Sequence, residues 1–318
     1  MIKIQLSDSV KKEIEDIFIK DMQKQSTGLF QVLQNEEIKL LLKNKYGFLY
    51  SLFYDNAGEI LVENIKVFLL SDRQKMKEYI LQFPTVYEKD ADELQKKVFR
   101  YDTFAERKSA FMILEKLQVN VCPYCNRQYT FTLVRDRVRP QFDHYYPKSQ
   151  YPYLAISLYN LIPSCGICNL LKGSHDTLKE PILYPYEDEF GEEIRFVIEE
   201  ESLKAMQGFS DEFTIKIKAV SVKDNDILEK FNCQKDKLKL EKVYSMHKDY
   251  VQDLVKNSYI NSEERVEELL NCFPELYKSK EEIQKVLMMN YVEKEDWGKR
   301  SLAKFTSDIY SDLKGERA

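Results

Sequence analysis

Residues 121–173 decide the fold. They open VCPYCNRQY (121–129), pass through QFDHYYP (141–147) and close NLIPSCGICNLLKG (160–173). The two Cys-x-x-Cys turns, Cys122 with Cys125 and Cys165 with Cys168, each present two thiolates on one side of a tetrahedron, the way structural zinc is held. The 39 residues between the pairs (126–164) exceed the usual spacer of a zinc ribbon and leave room for strands. A redox pair is disfavoured, because there are two pairs and no thioredoxin-like βαβ pattern. Four plain buried cysteines are the remaining alternative. Inside the frame stand Asp143 and His144, and Asn169 follows the second pair directly.

Local patterns fill in this segment. Tyr129, Phe131 and Leu133 alternate with Thr130, Thr132 and Val134, which predicts a strand. A turn near Arg135–Arg137 leads to a second strand ending at Asp143-His144. Residues 160–164 predict a short strand, and a helix starting near Gly166 carries Asn169 and Lys172 before Gly173. Neighbouring side chains on a strand face opposite ways. An Asp-His pair therefore serves one site only where the strand ends or twists.

The flanks read as helical. In 1–116, Ile2, Ile4 and Leu6 predict a short strand. Helices follow through Val10, Ile14, Ile17 and Phe18, over 36–54, over 72–82 with Ser71 and Gln74 as capping box, and over 87–100 and 103–118. This region has no His or Cys and no Gly-rich loop, so it reads as scaffold or partner contact. Residues 181–223 hold two strand-like runs, 194–198 and 213–219, around a turn at Gly208. Residues 224–318 are helical again, with Ser279 and Glu282 as a second capping box. Cys233 and Cys272 read as buried thiols, and His247, on a stripe with Leu240, Val243, Val251 and Leu254, as a satisfied core histidine.

The chain has 318 residues, 43% of them hydrophobic and 32% charged, with 9 Gly and 9 Pro, the balance of a soluble protein with long regular elements. The 21 Tyr and 18 Phe read as core. A net charge of −5 argues against a broad nucleic-acid-binding surface. Residues 117–180 depart from that average: Arg127, Arg135, Arg137, Arg139, Lys148, Lys172 and Lys179 face four acids, Asp136, Asp143, Asp176 and Glu180. MIKIQLSDSV lacks the pattern of a signal peptide, no run approaches the roughly 18 apolar residues of a membrane span, and the cysteine spacing suits a reducing compartment, so a cytoplasmic location is expected.

With these residues in place, 122–173 resembles the HNH endonuclease family, the ββα-metal nucleases, in the subtype with a four-cysteine zinc site. The resemblance covers about a sixth of the chain. It implies an α+β, predominantly helical protein with a small ββα-metal core in 117–180. It makes His144 the general base, Asp143 and Asn169 the ligands of a catalytic Mg²⁺ or Mn²⁺, Asn160 the residue that braces the loop and orients His144, and Cys122, Cys125, Cys165 and Cys168 the structural Zn²⁺ site. Asn169 stands where the family name has His, a replacement the family also uses, and its carbonyl suits a hard cation. Lys172 becomes a contact for the scissile phosphate, with Arg127 as a second candidate. Lys148 is either a phosphate contact or solvated, and His175 is the alternative to Asn169. The expected reaction is hydrolysis of nucleic acid, DNA by default and RNA as the alternative, leaving 5′-phosphate and 3′-hydroxyl ends. An HNH core between helical arms is also similar to the nuclease subunit of Septu-like anti-phage systems, which implies an ATPase partner. Two readings compete: a non-catalytic zinc module that binds nucleic acid or a protein, and a redox or metal sensor.

Overall fold

Apolar residues at helical spacing build most of the molecule, and among the described residues two small antiparallel sheets complete an α+β protein. The computed structural model describes residues 1–25, 27–84, 86, 88–200 and 209–315. By packing, the chain forms two units: residues 4–119 with 131–180, and residues 1–3 with 120–130 and 181–318.

The first unit begins with α1 (Asp8–Met22), capped by Ser7, whose side chain accepts from the Val10 amide. Then come α2 (Leu29–Leu33), α3 (Glu36–Lys45), α4 (Gly47–Phe53), α5 (Val62–Leu69), α6 (Arg73–Gln82), α7 (Glu88–Lys97), α8 (Tyr101–Ala105) and α9 (Lys108–Leu117). The small core closes the unit, with β1 (Gln141–His144), β2 (Leu161–Ser164) and α10 (Gly166–Lys172). α1 packs on α9. Buried Asp21 of α1 accepts from Arg107 at 2.5 Å and Ser109 at 2.6 Å. Burial alone would raise its pKa, but the bonds from Lys24, Ser109 and Arg107 outweigh burial and lower it. An aromatic row then reaches the small sheet: Phe18 meets Phe104 edge-on at 5.4 Å, and Phe104 stacks on Phe142 of β1 at 6.3 Å. Each such buried ring contributes about 1.5–3 kcal/mol, so the helical region holds the strand that carries Asp143 and His144.

In the second unit, β3 (Ile194–Glu200) pairs with β4 (Phe213–Ala219), from Ile194 opposite Ala219 to Glu200 opposite Phe213. Ile194, Phe196, Phe213, Ile215 and Ile217 form its buried face. The helices α11 (Asn225–Lys237), α12 (Leu240–Tyr244), α13 (Lys248–Ile260), α14 (Glu263–Cys272), α15 (Lys280–Leu287) and α16 (Ala303–Leu313) follow. α16 packs on β3, where Phe196 meets Phe305 at 5.1 Å and Tyr244 at 4.3 Å. The 122–125 turn is embedded here. Gln234 donates to the Tyr124 carbonyl at 3.1 Å and Tyr244 to the Cys125 carbonyl at 2.5 Å. Asn126, buried at φ +50°, donates to the Trp297 carbonyl and accepts from the Lys304 amide; Asn tolerates that left-handed backbone better than most residues.

Several local expectations are corrected. Residues 2–6 form no strand. The 36–54 helix is two, broken at Tyr46. Asp72 rather than Ser71 caps α6, its carboxylate accepting from the Lys75 amide, because Ser71 gives its hydroxyl back to the Val67 carbonyl. The 103–118 run is split between α8 and α9. Around 129–133 the alternation yields two isolated bridges, Val121 with Tyr129 and Leu133 with Val138, and no strand; Tyr129, Phe131 and Leu133 are each about half exposed, so no buried face enforces pairing. Cys272 is exposed and Cys233 only half-buried. His247 is half-buried, and its Nε2 has no hydrogen-bond partner among the described residues. The 194–198 and 213–219 strands and the Ser279 cap form as expected. The turn read at Gly208 lies outside the described residues.

Candidate active site

β1 runs antiparallel to β2, with Asp143 opposite Ile162 and His144 opposite Leu161. The strand ends at His144, and its last two side chains diverge. Asp143, 2% exposed, turns to α10, where the Lys172 ammonium lies 3.2 Å from its Oδ1. His144, 8% exposed, turns to α8, where the Tyr101 ring meets the imidazole edge-on at 4.5 Å. His144 Nε2 lies 2.9 Å from the Ala155 carbonyl oxygen. A carbonyl only accepts, so Nε2 carries the hydrogen and Nδ1 is the basic nitrogen. Burial drives the imidazole pKa from 6.5 down to about 3, and the charges of Lys148 and Lys172 push the same way.

α10 meets β1 through two side-chain pairs. Asn169 donates from Nδ2 to Gln141 Oε1 at 2.7 Å, which leaves its carbonyl oxygen as the acceptor. Lys172, expected at the scissile phosphate, is 0% exposed, and its ammonium bonds the His144 carbonyl at 2.6 Å as well as Asp143. The helix ends at Gly173, at φ +52° and ψ −132°.

Asn160, also 0% exposed, holds the 145–160 loop shut. Its Oδ1 accepts from the Tyr146 amide at 2.7 Å, and its Nδ2 donates to the carbonyls of Tyr146 and Leu154, both at 3.0 Å. Its backbone carbonyl accepts from the Tyr145 amide. The Leu154 contact stands one residue from Ala155, the partner of His144.

Asp143, His144 and Asn169 line one cleft of about 610 Å³, together with Lys148, Arg139 and Gln141. Lys148 lies 4.5 Å over the Tyr101 ring and 3.4 Å from Asp102. His175 and Arg127 are not among the cleft's lining residues. His175 is engaged with the Glu180 carbonyl at 2.8 Å, and Arg127 Nε is buried with no hydrogen-bond partner among the described residues. Sequence reasoning missed what the helical region supplies. Tyr101 also donates to the Phe142 carbonyl at 3.5 Å, and burial raises its phenol to about 12, so it stays a donor. Gln95 donates to the Lys148 carbonyl at 2.9 Å. Neither carries a signal in the sequence, since an aromatic or a glutamine on a helix reads as core or surface.

The thiols of Cys122, Cys125, Cys165 and Cys168 are all buried, the first pair in the second unit and the second pair in the first unit. Each turn also directs an amide at a sulfur: Arg127 N–H to Cys125 Sγ and Cys168 N–H to Cys165 Sγ, both at 3.4 Å. Two soft donors on each turn fit a metal such as zinc.

No family model matches the chain, and no solved structure matches it. Over 77 residues it is 38% identical to Septu protein PtuB of Bacillus thuringiensis. The match covers 24% of this chain and spans 28% of the relative's length. Among the described residues no helix is long and apolar enough to cross a membrane.

Proposed function

We propose that the protein is a metal-dependent HNH-type endonuclease, most simply of DNA, acting in anti-phage defence beside an ATPase partner. The observation that carries the activity is the pairing of a neutral, fixed imidazole with two oxygen ligands in one cleft. The similarity to Septu protein PtuB supports the biological setting. The donor set fits a hard cation: a carboxylate at Asp143, and at Asn169 a carboxamide whose nitrogen is already spent on Gln141. A divalent cation held there would supply Lewis-acid stabilisation of the charge on the departing oxygen.

The chain's own residues do the rest. The Ala155 carbonyl fixes Nε2–H, so His144 Nδ1 takes the proton of the attacking water. The new O–P bond forms as the P–O3′ bond breaks, leaving a 5′-phosphate and a 3′-hydroxyl. Burial keeps the imidazole neutral, so Nδ1 is free of a proton when water arrives. Lys172 offsets the Asp143 charge from within and ties the end of β1 to α10, a positioning role. His144→Ala should keep zinc content and far-UV circular dichroism while cleavage of DNA with Mg²⁺ or Mn²⁺ falls by about 10²–10⁴. Full cleavage by that variant would refute the mechanism, and no cleavage by wild-type protein with any nucleic acid, metal or partner ATPase would favour a non-catalytic zinc module.

A further inference from the structure

Beside the cleft, residues 131–139 form an arm. Leu133 and Val138 exchange both backbone bonds, at 2.8 and 3.2 Å, and this one bridge closes the loop 133–138. Its tip, 134–137, is a turn with Arg137 at φ +55°. Arg135 and Arg137 are exposed, and so are Phe131, Leu133 and Val138, at about half of their surface. A hollow of about 640 Å³ lies between this turn and α9, lined among others by Lys108, Met112, Glu115, Arg135 and Arg137. Phe111 ties the hollow to the cleft: the guanidinium carbons of Arg137 and Arg139 lie 5.7 and 5.5 Å from its ring centroid, Arg137 lines the hollow and Arg139 lines the cleft with His144.

We infer that this arm is a grip for duplex DNA, laying the phosphate backbone along Arg135, Arg137 and Lys108 so that it reaches the cleft past Arg139. The inference rests on the nuclease reading and names how that site holds its substrate. Charge complementarity favours it. In a chain of net charge −5, four cations, Lys108, Arg135, Arg137 and Arg139, gather here against Glu106, Glu115 and Asp136. The loop carries its arginines at an exposed turn, and arginine suits phosphate oxygens. A single strand would call for a run of exposed rings on which bases stack, and among the described residues of the arm Phe131 is the one exposed aromatic.

The test uses the full chain with no added divalent metal. Anisotropy of a labelled duplex is titrated against salt for wild type, Arg135→Glu/Arg137→Glu and Arg135→Gln/Arg137→Gln. The expected result is at least about tenfold weaker binding in the charge-reversed protein and a log–log salt slope shallower by about two in both variants. With Mg²⁺, KM rises while kcat is retained. Equal zinc content and circular dichroism exclude misfolding, and the Gln pair keeps the test open if the Glu pair fails to fold. Unchanged affinity and slope overturn the inference, as does a loss confined to single-stranded DNA, RNA or a partner protein. If wild-type protein grips duplex through these arginines but cleaves nothing, the nuclease reading falls and the grip stands. If it cleaves and neither pair of substitutions has any effect, the grip falls and the nuclease reading stands.

Discussion

Asn160 spends both ends of its carboxamide on the loop that precedes it, and nothing of its side chain reaches solvent. Truncation to Ala strands the Tyr146 amide and two carbonyls in a dry place, at a cost of about 2–4 kcal/mol for several lost buried partners. Asn160→Asp is the sharper probe. A carboxylate keeps the bond from Tyr146 but sets an acceptor against two carbonyls, so urea denaturation should find it at least as unstable as the Ala variant. His144 makes a second prediction. Its pKa is about 3 folded against 6.5 for an unperturbed group. Between those values the unfolded chain binds the proton that the folded chain refuses. Stability therefore rises with pH across this window and is lost as pH falls from 6.5 toward 3. His144→Phe should remove up to about 1.4 kcal/mol per pH unit of that slope. Parallel slopes for the two proteins would show that His144 is protonated as readily in the native state.

At the scale of the element, α10 depends on how it stops. Gly173 takes a positive φ with ψ −132°, a region left almost wholly to glycine. An added Cβ would meet only the Leu170 carbonyl, at 3.5 Å, so the obstacle is backbone strain and not space. Gly173→Ala should cost about 1–3 kcal/mol in chemical denaturation; a cost near zero would mean that the turn relaxes freely. The same element shows what was legible. Cys165, Cys168 and Gly173 punctuate the sequence, so β2 and α10 could be placed from it, and Asp143-His144 marked the end of β1. Lys172 could not be read correctly. Helical spacing puts it near Asn169, and nothing in the sequence tells that its long stem runs inward to the His144 carbonyl. The 129–133 alternation misled because a period of two makes a strand only with a continuous partner, and here pairing stops at two isolated bridges with Tyr129, Phe131 and Leu133 half exposed. Tyr101 was invisible, since 43 positions separate it from His144 and a tyrosine on a helix looks like core.

For the whole molecule, the path of the chain matters more than the order of its segments. It passes from one packing unit to the other four times, after residues 3, 119, 130 and 180. Residues 117–180, which look self-sufficient in the sequence, are divided by these passages. Expressed alone they would leave Phe142 without Phe104, His144 without Tyr101, and the first cysteine turn without Gln234, Tyr244 and Trp297. Such a fragment should give the circular dichroism of an unfolded chain even with zinc, and a cooperative, zinc-dependent fold would contradict this. The interleaving also bears on inheritance. A cassette with two cut sites can be exchanged between genes; a core threaded through its neighbours cannot. Recombination at the edges of the motif would separate Phe142 from Phe104 and the first cysteine turn from Gln234 and Tyr244 at one stroke.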